Sequence, residues 1–135
     1  MVGHALAWLP SFACASAPAK VPEGPHVPAL MAPEPVAFAP PPATLEVIEP
    51  SAQASGSGCA WLDGEWRWNG RDWRWAPGSW VVTPKNCYHA APVLVWVPAG
   101  GDGALYHVPG RWYEREAPKT CPDPAPCSSR LLSGS

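Results

Sequence analysis

The chain has 135 residues, and its 20 prolines and 12 glycines approach the content of low-complexity segments, so we expect the folded part to be shorter than the chain. A net charge of −2, with only 15% charged residues, argues against nucleic acid as a partner and against binding to an anionic membrane surface. No stretch is apolar for long enough to span a bilayer as a helix.

Residues 1–17 resemble a degraded or truncated export signal, because a short apolar run is followed by small residues that suit signal-peptide cleavage. The residues that end at Cys14 also resemble a bacterial lipobox, which makes Cys14 a candidate for lipidation. A lipid anchor of this kind is the only membrane attachment that we expect. The alternative is a cytosolic chain with an alanine-rich, disordered start.

Residues 18–58 alternate proline with Ala, Val and Glu, and they end in a stretch rich in Ser and Gly. Because proline lacks a backbone N–H and fixes φ, this composition favours polyproline II over a helix or a strand. We therefore predict a disordered spacer that holds a folded domain away from its anchor.

A tryptophan repeat organises the next stretch, because six of the nine tryptophans lie within residues 61–80, separated by alternating gaps of five and two. Asp63-Gly64, Asn69-Gly70 and Pro77-Gly78 interrupt the repeat and exclude a helix, whereas such dipeptides are typical of tight turns. Side chains alternate along a strand. The spacing therefore predicts a β-meander with all six indole rings on one side.

We predict a two-residue turn at Asn69-Gly70, because its register sets opposite charges across the two strands. This register gives three pairs: Trp66 with Trp73, Glu65 with Arg74, and Arg67 with Asp72. A four-residue loop would instead place Arg67 opposite Arg74, and each cross-strand pair contributes only ~0.2–1 kcal/mol. Equivalent turns at the other two dipeptides would pair Trp61 with Trp66 and Trp75 with Trp80.

The second half of the sequence reads as a weakened copy of the first. Residues 93–97 suit a strand, and Pro109-Gly110 suits a further hairpin with His107 opposite Trp112. We therefore predict an all-β domain over residues 59–116. It would be a small antiparallel β-meander of six or seven short strands, closing towards a barrel or a two-layer sandwich. A tail rich in Cys and Pro follows at residues 117–135.

Residues 75–80, W-A-P-G-S-W, and 107–112, H-V-P-G-R-W, resemble the repeat of the bacterial YXWGXW (or WXXGXW) proteins. Residues 61–66, W-L-D-G-E-W, fit the looser W-x-x-G-x-W form of the same repeat. The resemblance covers residues 61–114. It implies a location in the cell envelope, commonly as an exported lipoprotein, and no established chemistry.

Five cysteines stand at positions 14, 59, 87, 121 and 127. Without Cys14 an even number remains, which in an oxidising compartment indicates two disulfides with three connectivities open. We expect Cys59–Cys87, because these residues flank the meander, and Cys121–Cys127, which would close a small proline-rich loop. A zinc site that uses Cys87, His89 and His107 with the cysteine pair at 121 and 127 is the alternative, but the spacing matches no standard ligand pattern. We therefore expect neither a metal nor a cofactor.

No motif indicates catalysis, since Gly-x-Ser-x-Gly is absent from the sequence and the aspartates lie in or beside turns. We expect a non-enzymatic module of the bacterial cell envelope, in the periplasm, at the outer membrane or secreted, with structural or adhesive interactions. The expected partner is a cell-wall polysaccharide, such as peptidoglycan, or an envelope protein. A small zinc protein or an enzyme is the remaining alternative.

Two interpretations of the indole face stay open, because six exposed tryptophans are more apolar area than a soluble monomer usually shows. In one, residues of the second half fold over the face as a core: Val93, Val95, Trp96, Val97 and Trp112. In the other, some rings form a platform for sugar rings or a protein partner, and we assign it six residues: Trp66, Trp68, Trp73, Trp75, Asn69 and Arg71. Of these, Trp68 is the ring that we expect to be most exposed.

Overall fold

The computed structural model describes residues 19–46, 48 and 58–127, so the predicted export signal and Cys14 lie outside the described residues. The described chain is all-β, as predicted, with one short 3-10 turn at Pro28–Leu30. Its strands are β1 (Glu34–Val36), β2 (Cys59–Leu62), β3 (Glu65–Trp68), β4 (Trp73–Ala76), β5 (Ser79–Val82), β6 (Cys87–Ala90), β7 (Val93–Ala99), β8 (Asp102–Val108) and β9 (Arg111–Glu114). They form four small antiparallel sheets, and none of these closes on itself within the described ranges.

Strands β2 to β5 make one long, interrupted hairpin, which we call the first ribbon (residues 59–82). Leu62 of β2 lies opposite Ser79 of β5, and Glu65 of β3 lies opposite Ala76 of β4. The two sheets therefore share a single register, and two residues on each side separate them. These residues are the dipeptides at 63–64 and 77–78, so the predicted turns instead face each other across the middle of the ribbon.

The register predicted at the tip of this ribbon is wrong, and so are the pairings predicted at the other two dipeptides. The observed partners are Trp61 with Trp80, Trp66 with Trp75, Trp68 with Trp73, and Arg67 with Arg74. Each tryptophan pair meets edge to face, with ring centroids 5.2–5.5 Å apart. Such a contact contributes about 0.5–1.5 kcal/mol beyond the buried area. The observed register pairs all six rings, whereas the predicted turns would leave Trp68 without a tryptophan opposite it, so aromatic pairing favours the observed register over the one with the charge pairs.

The tip itself is a four-residue loop, residues 69–72, whose shape is set by Asn69. Its Oδ1 accepts hydrogen bonds from the backbone N–H of Arg71 (2.9 Å) and of Asp72 (2.7 Å). An asparagine that bonds to the backbone two or three residues ahead stabilises a turn of this kind. Arg67, which faces a like charge across the strands, turns to Glu65 on its own strand, with Nε and Oε1 3.1 Å apart.

Strands β6 to β9 form the second ribbon (residues 87–114) by the same plan. β6 pairs with β9 and β7 with β8 in one register across a break at residues 91–92 and 109–110. The tip is a two-residue turn at Gly100-Gly101, where both glycines have positive φ (49° and 94°), as a type I′ turn requires. The internal copy predicted from the sequence is therefore present, but Trp112 pairs with His89 instead of His107.

Segments from both ends of the described chain tie the ribbons together. Residues 19–24 run beside β2 and β6, and the backbone N–H of Val21 donates to the carbonyl oxygen of Trp61 (3.0 Å). The tail runs beside β5 and β9, and the backbone N–H of Cys127 donates to the carbonyl oxygen of Trp80 (3.0 Å). The apolar core between the ribbons consists of Val21, Ala60, Val81, Cys87 and Trp112.

The prediction of a disordered spacer over residues 18–58 is wrong for residues 19–46. Besides the contacts of residues 19–24, β1 adds a third strand to the sheet of β7 and β8, with Pro35 opposite Tyr106. Proline is tolerated there because β1 is a short edge strand, where a missing N–H breaks no internal ladder. Most of the remaining spacer lies outside the described residues.

The predicted disulfide pairing is also wrong, because the structure joins Cys59 to Cys127 and Cys87 to Cys121. Cys59 and Cys87 begin equivalent strands of the two ribbons, and the tail crosses both ribbons. Each of the two therefore meets one cysteine of the tail. The pairing could not follow from the sequence because it depends on where the tail returns.

Candidate functional site

The tryptophans of the first ribbon form one aromatic cluster, which we call the tryptophan ladder: Trp61, Trp66, Trp68, Trp73, Trp75 and Trp80. Its three edge-to-face pairs run from the tip of the ribbon to its base. Trp61 and Trp75 line a common pocket, although Trp61 and Trp66 are five positions apart, a spacing that would place their side chains on opposite faces of one continuous strand. The break in the ribbon therefore returns the rings to one side.

Gly64 and Gly78 leave the space that the ladder needs at the break. A Cβ on Gly64 would lie 2.5 Å from the ring of Trp75, and a Cβ on Gly78 would lie 2.4 Å from the ring of Trp61. Each ring therefore covers a glycine of the opposite strand, and a larger residue would displace it. This packing is the physical reason for the W-x-x-G spacing in this chain.

A proline-rich stretch lies along the ladder, and we call it the cover segment (residues 38–46). Trp73 Nε1 donates a hydrogen bond to the carbonyl oxygen of Phe38 (2.9 Å), and Trp66 Nε1 donates to the carbonyl oxygen of Pro42 (3.2 Å). The ring of Phe38 meets Trp68 edge to face at 5.3 Å. Beyond the segment, Ile48 packs against the buried cluster that contains Trp61 and Trp80.

Glu46 fixes the far end of the cover segment. Its carboxylate accepts a hydrogen bond from Trp75 Nε1 (3.0 Å) and another from the backbone N–H of Gly78 (2.9 Å). Three indole N–H groups of the ladder are thus bonded to one short stretch of chain. Sequence reasoning missed this segment because a proline-rich composition shows no periodic pattern that would mark a partner.

The contact between ladder and cover segment has the chemistry of proline-rich peptide recognition. Proline lacks a donor but keeps its carbonyl acceptor, so aromatic grooves bind such peptides through ring contacts and donated hydrogen bonds. Residues 40–42 are consecutive prolines, which restrict φ and lower the entropy that binding must overcome. The cover segment therefore sits on the ladder in the way that a bound peptide would.

The residues predicted to form a platform are brought together at the ladder, but most of their surface is covered. Trp73 is buried, and Trp66, Trp68 and Trp75 are half-buried. Asn69 is engaged by the tip loop, whereas the side chain of Arg71 is 90% exposed. Of the residues expected to fold over the indole face, Val93 lines a cavity beside Trp66 and Trp75, but the set as a whole does not cover the face. Residues 93–97 are exposed and Trp112 is buried between the ribbons.

Glu65 makes a polar contact between the two ribbons, close to their breaks. Glu65, whose side chain is only 11% exposed, accepts a hydrogen bond through Oε2 from the backbone N–H of Gly110 (3.2 Å). His89 lies beside it, since a Cβ on Gly110 would be 2.8 Å from His89 Nε2. Burial lowers the pKa of His89, and the negative charge of Glu65 opposes that shift in part. Sequence reasoning missed this role because it paired Glu65 with Arg74.

No family model, no curated protein and no solved structure matches the chain.

The assignment of function therefore rests on the geometry of the structure. Two disulfides are typical of proteins in an oxidising, extracytoplasmic compartment. The disulfides also use the cysteines of the proposed zinc site, and residues 19–127, where described, hold no cluster of three or more ligating side chains placed for a metal. Nor do the described residues include a helix with the length and apolar character to cross a membrane.

Proposed function

We propose that this protein is a non-enzymatic module of the bacterial cell envelope, in the periplasm, at the outer membrane or secreted, that makes structural or adhesive contacts through its tryptophan ladder. The two disulfides support an oxidising location. The resemblance of residues 61–114 to the YXWGXW repeat supports the envelope. The observation that carries the proposal is the cover segment, which three indole N–H groups hold along the ladder.

The proposed ligand is an extended, proline-rich segment of a partner protein. The ladder already binds a segment of this class within the chain, so a partner segment would displace residues 38–46 and use the same donors. An apolar cavity of ≈ 210 Å³ beside Trp66, Trp75 and Leu94 has room for a side chain of the incoming peptide. Small-molecule sites usually enclose roughly 300–1,000 Å³, so the cavity suits a side chain better than a metabolite.

The test uses a synthetic, labelled peptide with the sequence of residues 36–48 and the full, oxidised chain. The variant Phe38→Ala with Glu46→Ala weakens the internal competitor, so we expect it to bind the peptide at least ~10-fold more tightly than the wild type. Leu45→Ala is the matched control, because Leu45 is 98% exposed within the same segment. A peptide with alanine at positions 40–42 should bind more weakly than the native one.

Two results would contradict the proposed ligand. One is no peptide binding to the weakened variant while its circular dichroism shows an intact fold. The other is equal binding of the alanine peptide, because recognition would then not depend on proline. Cell fractionation with mass spectrometry of the mature N-terminus tests the envelope location separately, including lipidation at Cys14, and a cytosolic, unprocessed protein would contradict it.

Carbohydrate binding is a second candidate function, and the tip of the first ribbon favours it. Trp68 remains half-buried there, and the exposed guanidinium of Arg71 lies in the adjoining loop. A sugar stacks its apolar face on an aromatic ring while polar side chains at the edge bind its hydroxyl groups. Retention on purified cell wall should fall for Trp68→Ala. Equal retention of wild type and Trp68→Ala would remove this candidate and leave the peptide proposal intact.

A further inference from the structure

Strand β7 is an edge strand in the part of the chain that the structure describes. It ends the three-stranded sheet β1-β8-β7, and β8 is its only strand partner among the residues that the structure describes. Its first five residues, V-L-V-W-V, carry no charge and are 38–62% exposed. Edge strands are usually protected by charged side chains, bulges or a covering loop, since their free N–H and C=O groups bind other strands. This edge has no such charged side chain.

The equivalent position of the first ribbon carries a ring that another segment of the chain contacts. Trp96 of β7 corresponds to Trp68 of β3, because each pairs in the same way beyond the break of its ribbon. Trp68 contacts Phe38 of the cover segment, whereas Trp96 is 62% exposed. Among the described residues, the second ribbon therefore leaves exposed a ring whose counterpart in the first ribbon contacts the cover segment.

We propose that β7 pairs antiparallel with β7 of a second copy of this protein, with Val95 on the two-fold axis. An uncharged strand meets no like-charge repulsion from its own copy, unlike most edges. Pro92 and Pro98 bracket residues 93–97, and because proline cannot donate to a ladder they confine the pairing to this stretch. The centre of the stretch is Val95, which fixes the register.

This register is self-complementary in shape. It sets Val93 opposite Val97 of the partner copy and Leu94 opposite Trp96 of the partner copy, so each large side chain meets an aliphatic one on both sides of the axis. Aromatic and β-branched cross-strand contacts of this kind stabilise sheets. The two three-stranded sheets would then join in one continuous sheet. A contact of a few residues lies at the small end of specific interfaces, so the dimer should dissociate on dilution.

Sedimentation velocity of the full, oxidised chain tests the proposal. Between loading concentrations of about 1 µM and 1 mM, where weak interfaces dissociate, we expect the wild type to shift from monomer to dimer. Val95→Lys and Val95→Glu should each lower the association constant at least ~10-fold, because the substituted side chain faces its own copy. Mixing the two variants should restore association, since opposite charges then meet at the axis. Leu45→Lys, at a 98% exposed site outside β7, is the matched control and should behave as wild type.

The mixed sample distinguishes a broken interface from a lost fold, because an unfolded variant would not regain association in the mixture. Hydrogen exchange at residues 93–97 provides the second measurement, and protection of these amides should rise with protein concentration. A wild type that stays monomeric throughout would overturn the proposal. A Val95→Lys variant that associates as the wild type does, or a mixture that fails to associate, would also overturn it. Equal protection of these amides at every concentration would do the same, because it would mean that another strand already covers the edge.

Discussion

Replacing Glu46 by alanine tests whether the ladder binds the cover segment or whether the segment only lies on it. In Glu46→Ala the donors Trp75 Nε1 and Gly78 N lose an acceptor that is 3.0 Å and 2.9 Å away. A hydrogen bond to a charged group contributes about 1.5–3 kcal/mol. The contacts are half-buried, so water replaces part of each bond, and we expect the free energy of unfolding to fall by about 2–4 kcal/mol.

Thermal and urea unfolding, followed by tryptophan fluorescence under non-reducing conditions, measure this loss. For a domain of this size about 1 kcal/mol corresponds to ~4–8 °C, so the midpoint should fall by ~8–32 °C. Leu45→Ala is the control, because its side chain is 98% exposed in the neighbouring position. A loss below about 0.5 kcal/mol for Glu46→Ala, or an equal loss in both variants, would refute the argument that the ladder binds this segment.

Three further predictions concern the framework. Replacing Cys87 and Cys121 by serine opens a loop with a sequence separation of 34. The free energy of unfolding, measured with denaturant, should fall by about 4 kcal/mol because the unfolded chain gains entropy. A non-reducing peptide map that gives Cys87 any other partner would contradict the fold. Gly78→Ala should cost about 1–3 kcal/mol by overpacking against the ring of Trp61; an unchanged or higher urea midpoint would show that the ring does not occupy this space. Burial lowers the pKa of His89 in the folded protein, so the unfolded chain binds the proton more readily. Its contribution to stability is therefore complete above the unfolded pKa of about 6.5 and declines as the pH falls from there through the folded pKa; urea midpoints at several pH values should decline less for His89→Gln, and equal declines would contradict this assignment.

The local features of the first ribbon could be predicted because they depend on neighbouring residues. Alternation places Trp66 and Trp68 on one face of β3 and Trp73 and Trp75 on one face of β4, and the contacts between them show that these faces adjoin. The strand class follows in the same way, since the glycines and prolines between tryptophans exclude a helix. The aromatic cluster at the candidate site is thus a consequence of short-range pattern.

The pairing of strands could not be predicted, because the dipeptides that suggest turns serve another purpose. Gly64 and Gly78 are not among the glycines with positive φ, so neither acts as a primed turn would require. They are needed because rings from the opposite strand occupy the space of a side chain. A glycine required for steric reasons and a glycine required for backbone conformation look the same in a sequence.

The contact between the cover segment and the ladder could not be predicted from the sequence, for a different reason. Residues 38–46 contribute carbonyl groups and one carboxylate to a surface whose donors are indole N–H groups of remote residues. The composition of a segment indicates which secondary structure it cannot form, but it does not indicate which hydrogen-bond donors another segment will provide. The spacer prediction was therefore wrong where complementary donors lay within reach.

The disulfides are nested, since Cys59 and Cys127 enclose both Cys87 and Cys121 along the chain. A polypeptide that enters an oxidising compartment from its N-terminus exposes Cys59 and Cys87 well before either native partner arrives. Among the four disulfide-bonded cysteines, oxidation in order of arrival would join these two residues, and thiol–disulfide exchange would then be needed to release them. Under the export proposed above, correct maturation would therefore require disulfide isomerisation, or oxidation delayed until Cys121 and Cys127 are both present.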